Sequence, residues 1–150
     1  MSRALDIAEL IRTRLLTAPT GDEIPTTLDI TGVEVIVDRQ KNILSDITKA
    51  VAKASGTAIT ILWAGWTVVD KNTKTPRLAH RFTIMAWSKP VIAGDNLAAD
   101  DVAEAVINRL WHWRPLGGHA FGEAEPQNGG LVPDKKFLIY DCEVVIPISH

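Results

Sequence analysis

Apolar residues recur along this chain at two different intervals, and the changes of interval locate its elements. Ala4, Ile7, Ala8, Ile11 and Leu15 share one helical face, with Arg3, Asp6, Glu9 and Arg12 largely off it, so an amphipathic helix is predicted over 3–16, ended by Pro19. Residues 20–31 are rich in Thr, Asp, Gly and Pro and read as an extended loop. Val33-Glu34-Val35-Ile36-Val37 alternates and is β-branched, a short strand. After Asp38 as N-cap, Ile43, Ile47, Ala50, Val51 and Ala54 return to helical spacing over 39–55, and Gly56 supplies the stop.

Residues 57–69 and 77–87 are β-branched and aromatic on either side of a polar turn, 70–76, which together predict a long hairpin. A third helix is predicted over 97–111, with Val102, Val106, Leu110 and Trp113 on one stripe and Asp100, Asp101 and Glu104 near its positive end. Residues 115–134 carry Pro115, Gly117, Gly118, Gly122, Pro126, Gly129, Gly130 and Pro133, too much punctuation for a regular element. A loop of that length is usually functional or ordered by a partner. Over 137–148, Leu138, Tyr140, Cys142, Val144, Ile146 and Ile148 alternate with Asp141 and Glu143, the clearest strand in the chain. The order α-β-α-β-β-α-β, without internal repeat, predicts a single α+β domain, 1–150: a mostly antiparallel sheet of about four strands with helices packed on one face.

Composition removes several classes of function. A formal charge of −2, from 16 Lys plus Arg against 18 Asp plus Glu, is not the basic field of a nucleic-acid platform. Cys142 is the only cysteine, so an internal disulfide and a Cys-based zinc site are excluded and a reducing compartment fits. Charges at Asp6, Glu9, Arg12 and Arg14 argue against an export signal, and the longest mostly apolar run, 58–69, is well short of the ~20 residues that span a bilayer.

Catalytic and metal signatures are weak. His112, His119 and Glu123 lie close together, but their spacing matches neither a helical two-His zinc motif nor a finger; His80 and His150 read as packing or solvated residues. The pairs Gly117-Gly118 and Gly129-Gly130 follow a helix and precede a strand, the wrong setting for a phosphate cradle. Ser45, Ser55, Ser88 and Cys142 lie in no nucleophile elbow, and Cys142 reads as a small buried hydrophobe. Asp29, Glu34 and Asp38 lack the neighbouring Glu-x-Lys of a metal-dependent nuclease, and Lys41, Lys49 and Lys53 read as a solvated helix face. The five tryptophans carry more information. Trp63, Trp66 and Trp87 fall on the hairpin and Trp111 and Trp113 at the end of the third helix, more than one core accommodates. Trp is favoured at interfaces because it covers a large area at low entropic cost.

The ordering itself is distinctive: an amphipathic N-terminal helix, a long hairpin whose second strand ends Phe82-Thr83-Ile84-Met85-Ala86-Trp87-Ser88-Lys89-Pro90, the helical Asp100-Asp101-Val102-Ala103-Glu104-Ala105-Val106-Ile107-Asn108-Arg109-Leu110, a variable loop and a final strand. It resembles the tail terminator, or tail completion (neck), proteins of long-tailed bacteriophages. That resemblance implies a structural virion protein, made in the host cytoplasm, that forms a homo-oligomeric ring, in this family a hexamer. Such a ring caps the tail tube protein and docks to the head connector or neck protein. It implies no enzyme activity, no cofactor, no metal, no membrane and no specific nucleic-acid binding, with DNA passing through the lumen. The helix over 39–55 departs from the simplest family pattern, which leaves open another head-tail connector or minor tail protein. The candidate interface comprises Trp63, Trp66, Trp87, Trp111, Trp113, Asp70, Lys71, Asn72, Gly117, Gly118, Phe121, Gly129 and Gly130, with 20–31, 70–76 and 115–133 as contact segments. Two other classes stay open: a small cytosolic enzyme using His112, His119 or Asp38 as acid or base, and a monomeric ligand-binding module whose exposed Trp form one concave patch.

Overall fold

In the computed structural model, residues 3–17, 30, 32–37, 44–51, 56–70, 77–88, 99–115, 122–134 and 137–148 are described. The elements in chain order are α1 (Arg3–Leu15), β1 (Glu34–Val37), α2 (Leu44–Val51), β2 (Thr57–Asp70), β3 (Arg77–Ser88), α3 (Ala99–Leu110), β4 (Glu125–Val132) and β5 (Leu138–Ile148). The five strands form one sheet in the order β1-β2-β3-β5-β4. The pattern's expectation of a mostly antiparallel α+β sheet is met. Only β1–β2 is parallel, because α2 intervenes and brings the chain back in the same direction.

Strand alternation decides which side each helix covers. Ile7, Ile11 and Leu15 of α1 and Val102, Val106 and Leu110 of α3 bury against Ile59, Ile61, Phe82, Ile84, Cys142, Val144 and Ile146. The stripes predicted for both helices are the ones buried. Helix α2 does not join them. Its Ile47, Ala50 and Val51 pack with Ala58, Ile36, Trp87 and Phe137, residues one step out of phase with the main core and therefore on the opposite face. The expectation of helices on one face is thus corrected for α2. The reason is local: Ile36 and Ala58 put apolar side chains on the second face as well, and that surface needs cover. Asp38, Ile43 and Ala54 of the predicted helix lie outside the described residues, and Gly56 has a φ of 67° just before β2.

The region expected to be a loop, 115–134, contains a fifth strand, β4, paired with β5. It sits at a sheet edge with most of its residues exposed, so it never develops a hydrophobic alternation. An edge also tolerates Pro126, and the pairing is irregular between Pro126 and Gly129. Gly129 is required by proximity, since a Cβ there would collide with the Asp141 main chain on β5.

Helices α1 and α3 are tied at their C-terminal ends by two arginines. Arg14 Nε donates to the Arg109 carbonyl at 2.9 Å, and Arg109 Nη2 donates to the carbonyls of Arg14 (3.0 Å) and Thr17 (2.7 Å). Each side chain donates to main-chain carbonyls at the other helix's end, where a cation also favours the dipole; the Arg14 carbonyl accepts from Thr17 N as well. Arg109 is fully buried. Burial lowers both guanidinium pKa values, and the charge of Arg14 lowers that of Arg109 further. Arg12 Nε reaches the Val35 carbonyl at 3.1 Å and so occupies an acceptor of β1. No helix among the described residues is long and apolar enough to cross a membrane.

Candidate functional site

Strand β1 pairs with β2 only over residues 58–61. From Leu62 onward, the outer edge of β2 has no strand neighbour among the described residues, and Leu62, Trp63, Trp66 and Val68 are exposed there. Strict alternation would place Trp63 and Trp66, three residues apart, on opposite faces of the sheet. A bulge between Trp63 and Gly65 removes that conflict: Trp63 then pairs with Phe82 and Trp66 with His80, two positions on one face. The indole rings stack with centroids 5.7 Å apart and planes inclined by 19°. Trp63 Nε1 donates to His80 Nδ1 at 3.0 Å, which fixes the inner ring.

The bulge depends on Gly65, whose φ of 112° is a conformation that residues with a Cβ rarely adopt. Gly65→Val is expected to cost about 1–3 kcal/mol in stability. It should also change the intrinsic tryptophan fluorescence of the native protein, because the Trp63–Trp66 stack follows the bulge. An unchanged native spectrum together with unchanged urea unfolding would contradict this account.

The remaining candidates divide clearly. Trp87 donates from Nε1 to Thr60 Oγ1 (3.0 Å) and meets Phe137 edge-on at 5.6 Å, while Trp113 packs against the main core. Both are half-buried and committed to packing. Trp111 is exposed, beside the chain that leads into β4. Asp70 ends β2 opposite Arg77, and Gly129 and Gly130 lie on β4. Lys71, Asn72, Gly117, Gly118 and Phe121 lie outside the described residues, as do 71–76, 116–121 and all of the 20–31 segment except Ile30, which is buried.

A cleft of about 280 Å³ opens at the start of β4, lined by Trp111, His112, Glu123, Ala124, Glu125, Pro126 and Gln127. His112 follows the last turn of α3 with a φ of 56°, a left-handed position at a helix exit more often filled by Gly. Its Nδ1 lies 2.7 Å from Glu123 Oε2, and its ring meets Trp111 at 5.1 Å. The two residues, eleven apart in sequence, meet because the Trp113 carbonyl accepts from Ala124 N at 2.7 Å and folds the chain back. His119 and Asp38, the other acid-base candidates, lie outside the described residues. The His112–Glu123 pair is an exposed ion-pair contact, and the described residues lining the cleft include no Ser, Thr or Cys to act as nucleophile. Among the described residues, no group of three or more His, Cys, Asp or Glu is placed to hold a metal ion. Glu34 is exposed on β1, Ser88 is buried at the end of β3, and Lys49 is exposed on α2. Asp29, Ser55, Lys41 and Lys53 lie outside the described residues, as does the side chain of Ser45.

Cys142 is buried in the main core, as the alternation of the last strand predicts. Burial, with a smaller push from Asp141 and Glu143, raises its thiol from the ordinary 9.0 to about 11. The native state therefore holds this proton to higher pH than the unfolded state. The corresponding stability is fully present below pH 9.0 and is lost as pH rises through about 11, up to about 3 kcal/mol. Between pH 8 and 11, the urea midpoint of Cys142→Ala should fall less than that of the parent protein; equal falls would refute the assignment.

The six exposed large hydrophobics of the described residues thus sit at two places: Leu62, Trp63, Trp66 and Val68 on β2, and Trp111 and Leu131 beside and on β4. Strands β3 and β5 separate the two, a distance of about 14 Å at the usual strand spacing. No protein family and no curated protein matches the sequence.

Proposed function

We propose that this protein is a ring-forming structural component of the tail-terminator and tail-completion group, which caps a phage tail tube and docks to the head connector or neck. A closed ring built by rotation needs two different, complementary surfaces on every subunit. The observation that carries the reading is the division of the exposed large apolar side chains of the described residues between β2, beyond its pairing with β1, and the opposite side of the sheet at and beside β4. A single-patch binding module would gather them in one place. The mild net charge of −2 suits a lumen through which DNA slides, since a basic wall would hold the phosphate backbone. In this role the protein acts by self-association and by contact with the tube and connector subunits, within the virion and without catalysis. Size-exclusion chromatography with light scattering over a range of concentrations should give a discrete oligomer, and electron micrographs should show rings with a central hole. A strict monomer that never adds to tail tubes would overturn the proposal.

A further inference from the structure

We infer that the ring contact is a continuation of the β-sheet from copy to copy, in which the free edge of β2 in one subunit pairs antiparallel with the β4 edge of the next. The inference rests on the ring reading and adds to it the two surfaces that meet.

The first ground is that, among the described residues, no strand pairs with residues 62–69 of β2 on their outer side or with the outer side of β4. Monomeric proteins blunt an exposed strand with charges, proline or a covering segment. Residues 62–69 of β2, Leu-Trp-Ala-Gly-Trp-Thr-Val-Val, contain neither a charge nor a proline, and four of their apolar side chains are exposed. The neighbouring β1 differs, since Arg12 occupies its Val35 carbonyl. The second ground is position. The two edges lie on opposite sides of the sheet, so a β2-to-β4 contact is heterologous and leaves each subunit one open edge for the next copy.

Strand direction sets the sense of pairing. β2, β3, β5 and β4 alternate in direction, so β2 and β4 of one copy run opposite ways, and copies related by rotation about an axis along the strands bring the two edges together antiparallel. Antiparallel pairing sets Leu62 and Trp63 near Leu131 and Val132, with the exposed Glu123 and Glu125 at the other end of the contact. Pro126 has no N–H to offer, which confines main-chain pairing on β4 to residues 127–132.

The test uses one substitution on each edge, Trp66→Lys and Leu131→Lys, both at exposed positions where unfolding midpoints should stay close to the parent value. Each variant alone is expected to lose the ring and run as a monomer by light scattering. Mixed in equal amounts, they are expected to form a species of two subunits and stop there, because only one intact β2 edge and one intact β4 edge remain to meet. Variants that keep rings of parent mass would overturn the edge pairing while leaving the ring reading intact; a mixture that stays monomeric would also overturn it. A parent protein that is itself monomeric would instead overturn the ring reading. As a second readout, Trp63→Cys/Leu131→Cys should oxidise to a ladder of disulfide-linked multimers on a non-reducing gel, with the buried Cys142 out of competition. Absence of that ladder in a ring-forming sample would count against the pairing.

Discussion

Arg109→Met is expected to lower the free energy of unfolding by about 3 kcal/mol and the thermal midpoint by roughly 6–12 °C, as read by urea and thermal unfolding. Methionine retains much of the aliphatic packing of a side chain that is fully buried, so the loss isolates the guanidinium. What disappears is a pair of charge-assisted hydrogen bonds to the carbonyls of Arg14 and Thr17, which are left without that donor at the end of α1. Arg14→Met removes the bond to the Arg109 carbonyl and should cost about 1.5 kcal/mol. The double variant should lose more than the sum, because the two guanidinium groups repel one another and the relief of that repulsion is counted in each single change but gained only once in the double. A loss under about 1 kcal/mol for Arg109→Met would mean that the arginine tie is incidental to the packing of α1 on α3. The consequence reaches the surface as well: Arg109 lies two residues before Trp111, so the tie also fixes the helix end from which the cleft beside β4 begins.

Phe82→Ala is expected to be comparably severe, at about 3–5 kcal/mol, a large part of the 5–15 kcal/mol that holds a typical domain together. Phe82 has no exposed surface and stands on β3, between Trp63 of β2 and Val144 of β5, on the face covered by α1 and α3. Truncation opens a cavity that the neighbouring strands cannot close without breaking register. Phe82→Leu, which keeps most of the volume, should cost clearly less. Because Phe82 is the cross-strand partner of Trp63, the alanine variant should also perturb native tryptophan fluorescence, a signal absent if the change were felt only in the core. A melting curve within a few degrees of the parent would show that this position is less tightly packed than its burial implies.

The helices α1 and α3, the β2–β3 hairpin and β5 were legible in the sequence because each has one wet side and one dry side, and the dry side repeats at the period of its element. Ile7, Ile11 and Leu15, or Cys142, Val144 and Ile146, could not be read otherwise. Where that contrast is absent, the sequence carries no such period. Strand β4 takes its regularity from hydrogen bonds donated and accepted by β5, not from burial, so its Pro and Gly residues read as a loop. Nothing in the spacing of the helix over 39–55 says which side of the sheet it covers, and the tertiary structure puts α2 opposite α1 and α3.

The candidate site divides in the same way. Composition alone marks five tryptophans as a surplus, and their positions in the chain assign three to the hairpin and two to a helix end. Their side-chain chemistry is identical, so only packing could separate Trp87 and Trp113, which bury against neighbours, from Trp63, Trp66 and Trp111, which do not. The stacked pair on β2 is equally a tertiary result, since a three-residue spacing in a strand points to opposite faces until the bulge at Gly65 changes the count. The same holds for His112 and Glu123, eleven residues apart and joined by a turn of the chain, and for Arg109, whose place on a helix surface in sequence becomes a buried tie between two helices. Local period, set by the geometry of one element and its contrast with water, was written in the residues. Which faces and edges meet depends on the packing of several elements at once, and that was decided by the folded chain.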